Sequence, residues 1–477
     1  MSDLLTPDIC VIGAGSAGLT VAAAAAAFGV EVVLIEKGLM GGDCLNYGCV
    51  PSKSLLAAAR SAAGYSAPGR LDLPETVREE DYKKAQAHVR SVIDAIAPHD
   101  SQERFEGLGV TVLREAARFT GPGEVEAGGT QIRARRFAIA TGSRALVPPI
   151  PGLDEVPYLT NESLFSLDEA PEHLVIIGGG PIGMEMAQAH RRLGSRVTVF
   201  EAARALGKDD DDLAAIVLDA IRGEGVELFE ETSVEKLRRD GDEIIVTARR
   251  SDGTVVEVTA SHLLIATGRK ANVEDLGLEA AGIETDRAGI RTDKGLRTTN
   301  RRVYAIGDVA GGPQFTHVAG QQGGLVIRSI LFRLPISFDA SEVPWVTYTS
   351  PELGHVGMSE ADAVARYGAG RVKVLRADYA GNDRAQAENL THGRLKLIAG
   401  PGGKLLGGDI VGAQAGEITN LLSLALSKKM TMKDLAGFIA PYPTLGELVR
   451  RAAISYYGDA PKNIWVRRLI GFLRKFG

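Results

Sequence analysis

Two apolar, β-rich runs open the chain, ICVIG at 9–13 and VEVVLIE at 30–36, with an Ala-rich stretch between them. The pattern predicts a strand, a glycine turn, a helix from near Ser16 and a second strand. Ala and Leu spacing predicts a helix over 52–66, and a charged helix follows over roughly 77–98. Strand signals come at 109–113 and 131–140, with the turn-rich GPGEVEAGG between them. VPPIPGL at 147–153 reads as a proline-rich linker. From 173 the opening pattern returns as HLVIIGGG, PIGMEMAQAHRRLG and RVTVFE, closing near LLIATGR at 263–269. A single echo at long interval suggests two similar nucleotide domains rather than a short-period solenoid. RVYAIGDVAG at 302–311 is another strand entering a glycine turn. Past about 341, clusters such as GPGGKLLGG read as hairpin turns and ITNLLSLALSKKM as a helix, which fits a third, α+β domain.

Length and composition narrow the class. A chain of 477 residues exceeds one ordinary core and suggests two to four domains. The formal net charge of -6 and a pI near 5.9 argue against nucleic acid as partner. Residues 9–30 carry no charge and are long enough for a membrane span, but a buried strand-turn-helix unit explains both the missing charge and the glycines. Only three cysteines are present, so this is no disulfide-stapled secreted fold. With no basic region at the start, MSDLLTPDIC, a cytoplasmic location is expected.

The glycine turns carry the first chemistry. Gly13, Gly15 and Gly18 follow a strand and open a helix at Ser16. The first permits a tight turn, the second lets backbone approach a pyrophosphate, and the third allows close helix packing. The helix N-terminus favours the phosphate charge. Glu36, at the end of the next strand, is placed to hydrogen-bond a ribose diol. Gly178, Gly180 and Gly183, followed by Glu201, repeat the arrangement. A carboxylate at 201 accepts a bond from an unmodified 2′-hydroxyl and repels a 2′-phosphate, so NAD is expected over NADP; Arg204 nearby softens that choice. Two dinucleotides in one chain, FAD and NAD(H), allow a hydride to pass from nicotinamide to flavin.

Cys44 and Cys49 lie in GGDCLNYGCVPSK at 41–53. Their spacing closes a small disulfide if it forms about one helical turn, and a thiol near a helix start is acidified. Two inert thiols would not explain the flanking glycines, proline and Lys53, and a zinc site would need a second pair or a nearby histidine. Lys53 could place positive charge near flavin N5, with Glu185 balancing it from the second unit; the alternative is an exposed lysine at a helix start.

These motifs, with ATGS at 140–143, ATGR at 266–269 and AIGDVAG at 305–311, resemble the class I pyridine nucleotide–disulfide oxidoreductases. The resemblance runs from about residue 7 to 460. It implies an α/β fold of two Rossmann-like nucleotide-binding domains and a C-terminal α+β dimerisation domain. FAD would be held by a discontinuous domain, 1–150 and 270–340, NAD(P) by 151–269, and the dimer by 341–477. Cys44 would be the interchange thiol and Cys49 the thiol against the flavin. Asp308, Thr141 and Ala319 would line the FAD site, Gly268 would be a further cofactor position, and Lys53 would pair with Glu185. In a homodimer each site would be completed by the partner chain.

That completing segment departs from the family. APYPTLGE at 440–447 keeps Glu447 but has Tyr442 where a histidine is usual. Histidine shuttles protons near neutral pH, whereas tyrosine mostly donates a hydrogen bond. The leading expectation is NADH-driven, reversible exchange with a small disulfide or dithiol, as in dihydrolipoamide dehydrogenase. Mercuric-reductase-like and quinone or diaphorase-type reduction are the alternatives. Tyr442 favours mercury, while the lack of any cysteine after Cys49 opposes it. A non-catalytic nucleotide-binding flavoprotein would need no cysteine pair. The tail PKNIWVRRLIGFLRKFG at 461–477 has five basic residues and no acid. It reads as a helix packed on the dimer, or alternatively as an amphipathic helix on an anionic membrane.

Overall fold

The computed structural model describes residues 4–63 and 79–476. The ends of two expected helices, at 64–66 and 77–78, lie outside the described residues. The described chain forms two compact units. The first gathers most of the chain up to residue 340, and the second comprises 206–225 and the residues from 341 onward.

The opening apolar runs become buried parallel strands, Ile9–Ile12 and Val32–Ile35, around helix Ser16–Ala27. They sit in a five-stranded parallel sheet in the order 303–305, 136–139, 9–12, 32–35, 111–113. Strands buried on both faces need continuous apolar sequence, which is why neither run alternates. Strand Val303–Ala305 pairs with Arg136–Ile139 and so returns to this sheet across a long sequence interval. The echo at 173 builds a second parallel sheet in the order 227–229, 196–200, 173–177, 262–265. Helix Pro181–Arg192 follows its first glycine turn.

Three sequence expectations change. The 131–140 strand is two strands, Thr130–Ile132 and Arg136–Ile139, in different sheets, broken at the intervening Arg133-Ala134-Arg135. The turn-rich segment before it contains a strand, Glu124–Ala127, with Val125 and Ala127 buried; its glycines mark only the ends. The helix expected from 52 begins at Cys49.

In the second unit, five antiparallel strands run in the order 345–347, 352–357, 405–412, 394–399, 373–378. Helices Ala415–Ser427 and Glu447–Ser455 contribute to one core through Ile418, Leu422, Leu448 and Ala452. This unit also buries charge. Lys396 reaches Asp210 at 2.5 Å and Glu360 at 3.0 Å, and His355 bonds Asp409 at 2.5 Å. Pairing is what makes such burial tolerable.

Candidate active site

The two glycine turns are built alike, atom for atom. Gly13 has φ +105° and a Cβ there would meet the Ala140 carbonyl oxygen at 2.4 Å; Gly178 has φ +115° and would meet the Ala266 oxygen at 2.4 Å. A Cβ on Gly18 would lie 1.9 Å from the Gly13 oxygen, and one on Gly183 would lie 1.9 Å from the Gly178 oxygen. These four glycines are therefore required by the protein's own packing. The middle glycines are not. A Cβ on Gly15 meets only the Gly42 Cα at 3.9 Å, and one on Gly180 meets nothing within 4 Å. Their φ values, -84° and -73°, are open to any residue. Each is the N-cap of a helix with no side-chain cap, so the first N–H groups of both helices are left without a capping side chain. A dinucleotide pyrophosphate fits both cradles.

The strand-end acids hold these loops. Glu36 accepts from the Ala14 and Gly38 N–H groups, both at 2.6 Å. Glu201 accepts from Gly179 at 2.7 Å and Ala203 at 2.8 Å. Each carboxylate oxygen keeps a second lone pair for a ribose hydroxyl.

The thiol segment rests on the first cradle. Gly41 and Gly42 take φ +86° and +61° before the short helix Gly42–Asn46, and a Cβ on Gly42 would meet the Gly15 Cα at 2.7 Å. One on Gly48 would meet an Asp43 oxygen at 2.8 Å. The glycines around the cysteines thus answer to backbone packing. Cys44 lies within that short helix, and Cys49 is the first residue of helix Cys49–Ala62. Both are free thiols, and Cys49 is the exposed one. The hydrogen bond from Cys44 pulls the Cys49 thiol down to about 6, against the opposing effect of its own burial. Thr316, with its hydroxyl 3.4 Å from Cys49 Sγ, and the Lys53 charge assist. The position at a helix N-terminus acts the same way. The same hydrogen bond, together with burial, drives the Cys44 thiol above its ordinary range. Of the two sulfurs, Cys49 is the more acidic.

One turn beyond Cys49, the Lys53 ammonium donates to Glu185 at 2.7 Å, with Glu185 almost fully buried. Asp308 accepts from the Ser143 hydroxyl at 2.5 Å, and its burial raises the carboxyl pKa against the lowering by Ser143 and Arg269. Thr141 and Asn272 exchange two hydrogen bonds, at 2.8 and 3.0 Å. Ala319, on helix Thr316–Phe332, would touch a Cβ on Gly307 at 3.4 Å. Gly268, at φ +136°, precedes strand Arg269–Ala271, which pairs with Ser143–Ala145 and brings the two ATG loops side by side.

Arg269 is a residue the sequence reading missed. It bridges Asp43 at 3.1 Å and Asp308 at 3.6 Å and donates to the Ser143 hydroxyl at 2.7 Å. Asp43 also accepts from Asn161 at 2.8 Å. The ATGR motif contained the signal for Arg269; nothing in the sequence marks Thr316 or Asn161. Tyr442 and Glu447 belong to the second unit. The Tyr442 hydroxyl donates to Asp383 at 3.1 Å, and that bond raises its pKa. Glu447 accepts weakly from the Thr444 N–H at 3.4 Å.

A thiol pair against one of two dinucleotide cradles defines a class of enzyme, and comparison gives its family. Residues 7–323 match the pyridine nucleotide-disulphide oxidoreductase model, and residues 343–453 match that family's dimerisation domain. The chain belongs to this family and is an FAD- and NAD(P)H-dependent disulfide oxidoreductase. The dimerisation domain supports a homodimer. A mercuric reductase of Streptomyces lividans is 36% identical over 472 residues, covering 95% of this chain and 97% of the relative. A dihydrolipoyl dehydrogenase of Haloferax volcanii is 33% identical over 469 residues, covering 95% and 97%. The solved HOCl-induced flavoprotein disulfide reductase RclA of Escherichia coli superposes with a TM-score of 0.83 at 28% identity, covering 94% and 99%. No described helix is long and apolar enough to cross a membrane.

Proposed function

We propose that this enzyme carries two electrons from NADH to Cys44 and Cys49 and on to a small-molecule disulfide in the cytoplasm. The net reaction is NADH, a proton and a disulfide giving NAD+ and two thiols. The observation that carries this reading is the placement of Cys44 and Cys49 against the first glycine cradle, with Cys49, the more acidic of the two, opening helix Cys49–Ala62. Bound FAD supplies hydride acceptance and electron storage between nicotinamide and thiols. In this reading residues 1–150 and 270–340 hold FAD and 151–269 hold NAD. Gly13, Gly15, Ser16, Gly18, Glu36, Thr141, Asp308 and Ala319 serve FAD. Gly178, Gly180, Gly183, Glu201 and Gly268 serve NAD. Lys53, fixed by Glu185, places its charge beside the flavin.

The more acidic Cys49 gives the thiol chemistry its own base. As Cys44 attacks a substrate sulfur, Cys49 takes the Cys44 proton and one substrate thiolate leaves. Cys49 then hands that proton to the first departed thiolate and attacks Cys44, closing the Cys44–Cys49 disulfide, and the second thiolate takes from solvent the proton that the net reaction consumes. Tyr442 of the second chain, neutral and with its hydroxyl turned from Asp383, donates a hydrogen bond to the departing thiolate, while Glu447 fixes the segment. A donor suits disulfide reduction better than dithiol oxidation, which needs a base. Tyr442→His is expected to raise dihydrolipoamide oxidation near pH 7 about tenfold or more. An unchanged rate in a steady-state assay would count against this role for Tyr442.

A second reading, two-electron reduction of Hg(II), is favoured by the identity with mercuric reductases and by Tyr442. A panel of glutathione disulfide, lipoamide, Hg(II) and quinone acceptors separates the two. Turnover of Hg(II) but of no disulfide sinks the primary reading. Glu201 underlies the choice of NADH. Glu201→Gln is expected to narrow the kcat/KM ratio of NADH over NADPH about tenfold, by removing the charge that repels a 2′-phosphate.

A further inference from the structure

The segment after the matched dimerisation domain forms a helix that the chain itself leaves bare. Helix Ile464–Leu473 is started by the Asn463 side chain, which accepts from the Trp465 N–H at 2.9 Å. At helical spacing, Trp465, Val466, Leu469, Ile470, Phe472, Leu473 and the following Phe476 share one broad face. All of them but Val466 are more than half exposed. The opposite face holds Arg467, Arg468, Arg474 and Lys475, with Ile464 and Gly471 among them and no acid. Arg468 lies over the Trp465 ring, 5.1 Å from its centroid, at the boundary between the two faces.

We propose that this helix lies on an anionic lipid surface, with Trp465, Leu469, Phe472 and Phe476 entering the interface and the arginines meeting the headgroups. Charge complementarity selects this occupant. A face whose charges are all basic, opposite an apolar face carrying Trp and Phe, matches the headgroup and acyl layers of an anionic bilayer. Pairing with the same helix of a second copy would bring two wholly basic segments together, and the family's dimerisation match ends at residue 453. The rest of the chain carries a net negative charge, so its overall field does not draw it to anionic lipid as this helix does.

The test uses the full-length, flavin-loaded enzyme and vesicles of phosphatidylcholine with or without phosphatidylglycerol, read by co-sedimentation. Binding is expected only with phosphatidylglycerol, and it falls away as salt is raised. R467Q/R468Q should weaken it roughly thirtyfold, at about 1 kcal/mol per charge. L469D/F472D should weaken it at least about a hundredfold, from the lost apolar transfer. Both variants should keep full NADH-dependent turnover and the wild-type dimer by light scattering. Absence of binding, or equal binding to neutral vesicles, overturns the proposal. Dissociation of the dimer by L469D/F472D also overturns it, because a second copy then covers this face.

Discussion

Cys49→Ser is expected to cut turnover of disulfide acceptors by about a thousandfold or more and to remove any long-wavelength thiolate absorbance from the NADH-reduced enzyme. The two cysteines should not be equivalent. Cys44→Ser should lose turnover to a similar degree yet keep the absorbance, because a serine hydroxyl still donates to the Cys49 sulfur. That absorbance belongs to the deprotonated form. It should be full above pH 7 and disappear as pH falls through about 6. Cys44→Ala removes the largest acidifying contact, so its titration should move up toward the ordinary thiol range near ~8.5. Spectrophotometric titration of the three variants checks this. Coincident curves for Cys44→Ser and Cys44→Ala would mean the Cys44 hydrogen bond does not set the Cys49 thiolate.

The second large effect separates glycines that serve the fold from glycines that serve a ligand. Gly18→Ala and Gly183→Ala drive a methyl into a backbone oxygen, each at 1.9 Å, and neither neighbour is a flexible side chain. Each should cost about 3 kcal/mol or more and lower the denaturation midpoint of the flavin-free protein. Gly15→Ala and Gly180→Ala meet no such obstacle and should leave that midpoint within about 1 kcal/mol of wild type. Their losses should be specific instead. Gly15→Ala should weaken FAD retention, and Gly180→Ala should raise KM for NADH about tenfold or more with flavin content unchanged. Flavin absorbance per chain, KM and urea midpoints resolve all four. If Gly15→Ala unfolds the flavin-free protein, the clear space beside it is not what its missing Cβ protects.

The sequence made the two nucleotide units legible because their information is local. A strand, a glycine turn and a helix lie within one short stretch, and the period of the apolar residues changes where the element changes. The fold class and the family followed from that and from the cysteine segment. The distant pairings were harder. That Val303–Ala305 pairs with Arg136–Ile139 is a register fact that no local pattern encodes. Strand Glu124–Ala127 was hidden because four residues between glycine-rich turns are too short for a period to register. In the site, the residue types that define chemistry stood out, but their settings did not. Arg269 stands in the ATGR motif, but its bridging role emerges only when Asp43 and Asp308 are brought to it from remote segments. Thr316 reaches Cys49 from a helix far along the chain, and nothing in its neighbours announces this.

The contact between Gly42 and Gly15 joins two functions that a designer would treat as modules. Backbone lies directly on backbone there, with no side chain to trim or lengthen as a shim. Any change in the pitch of the cofactor loop is therefore transmitted to the thiol helix at full amplitude. New acceptor preferences grafted onto this scaffold would have to come from residues around the thiols, with the glycine seam left as a fixed datum.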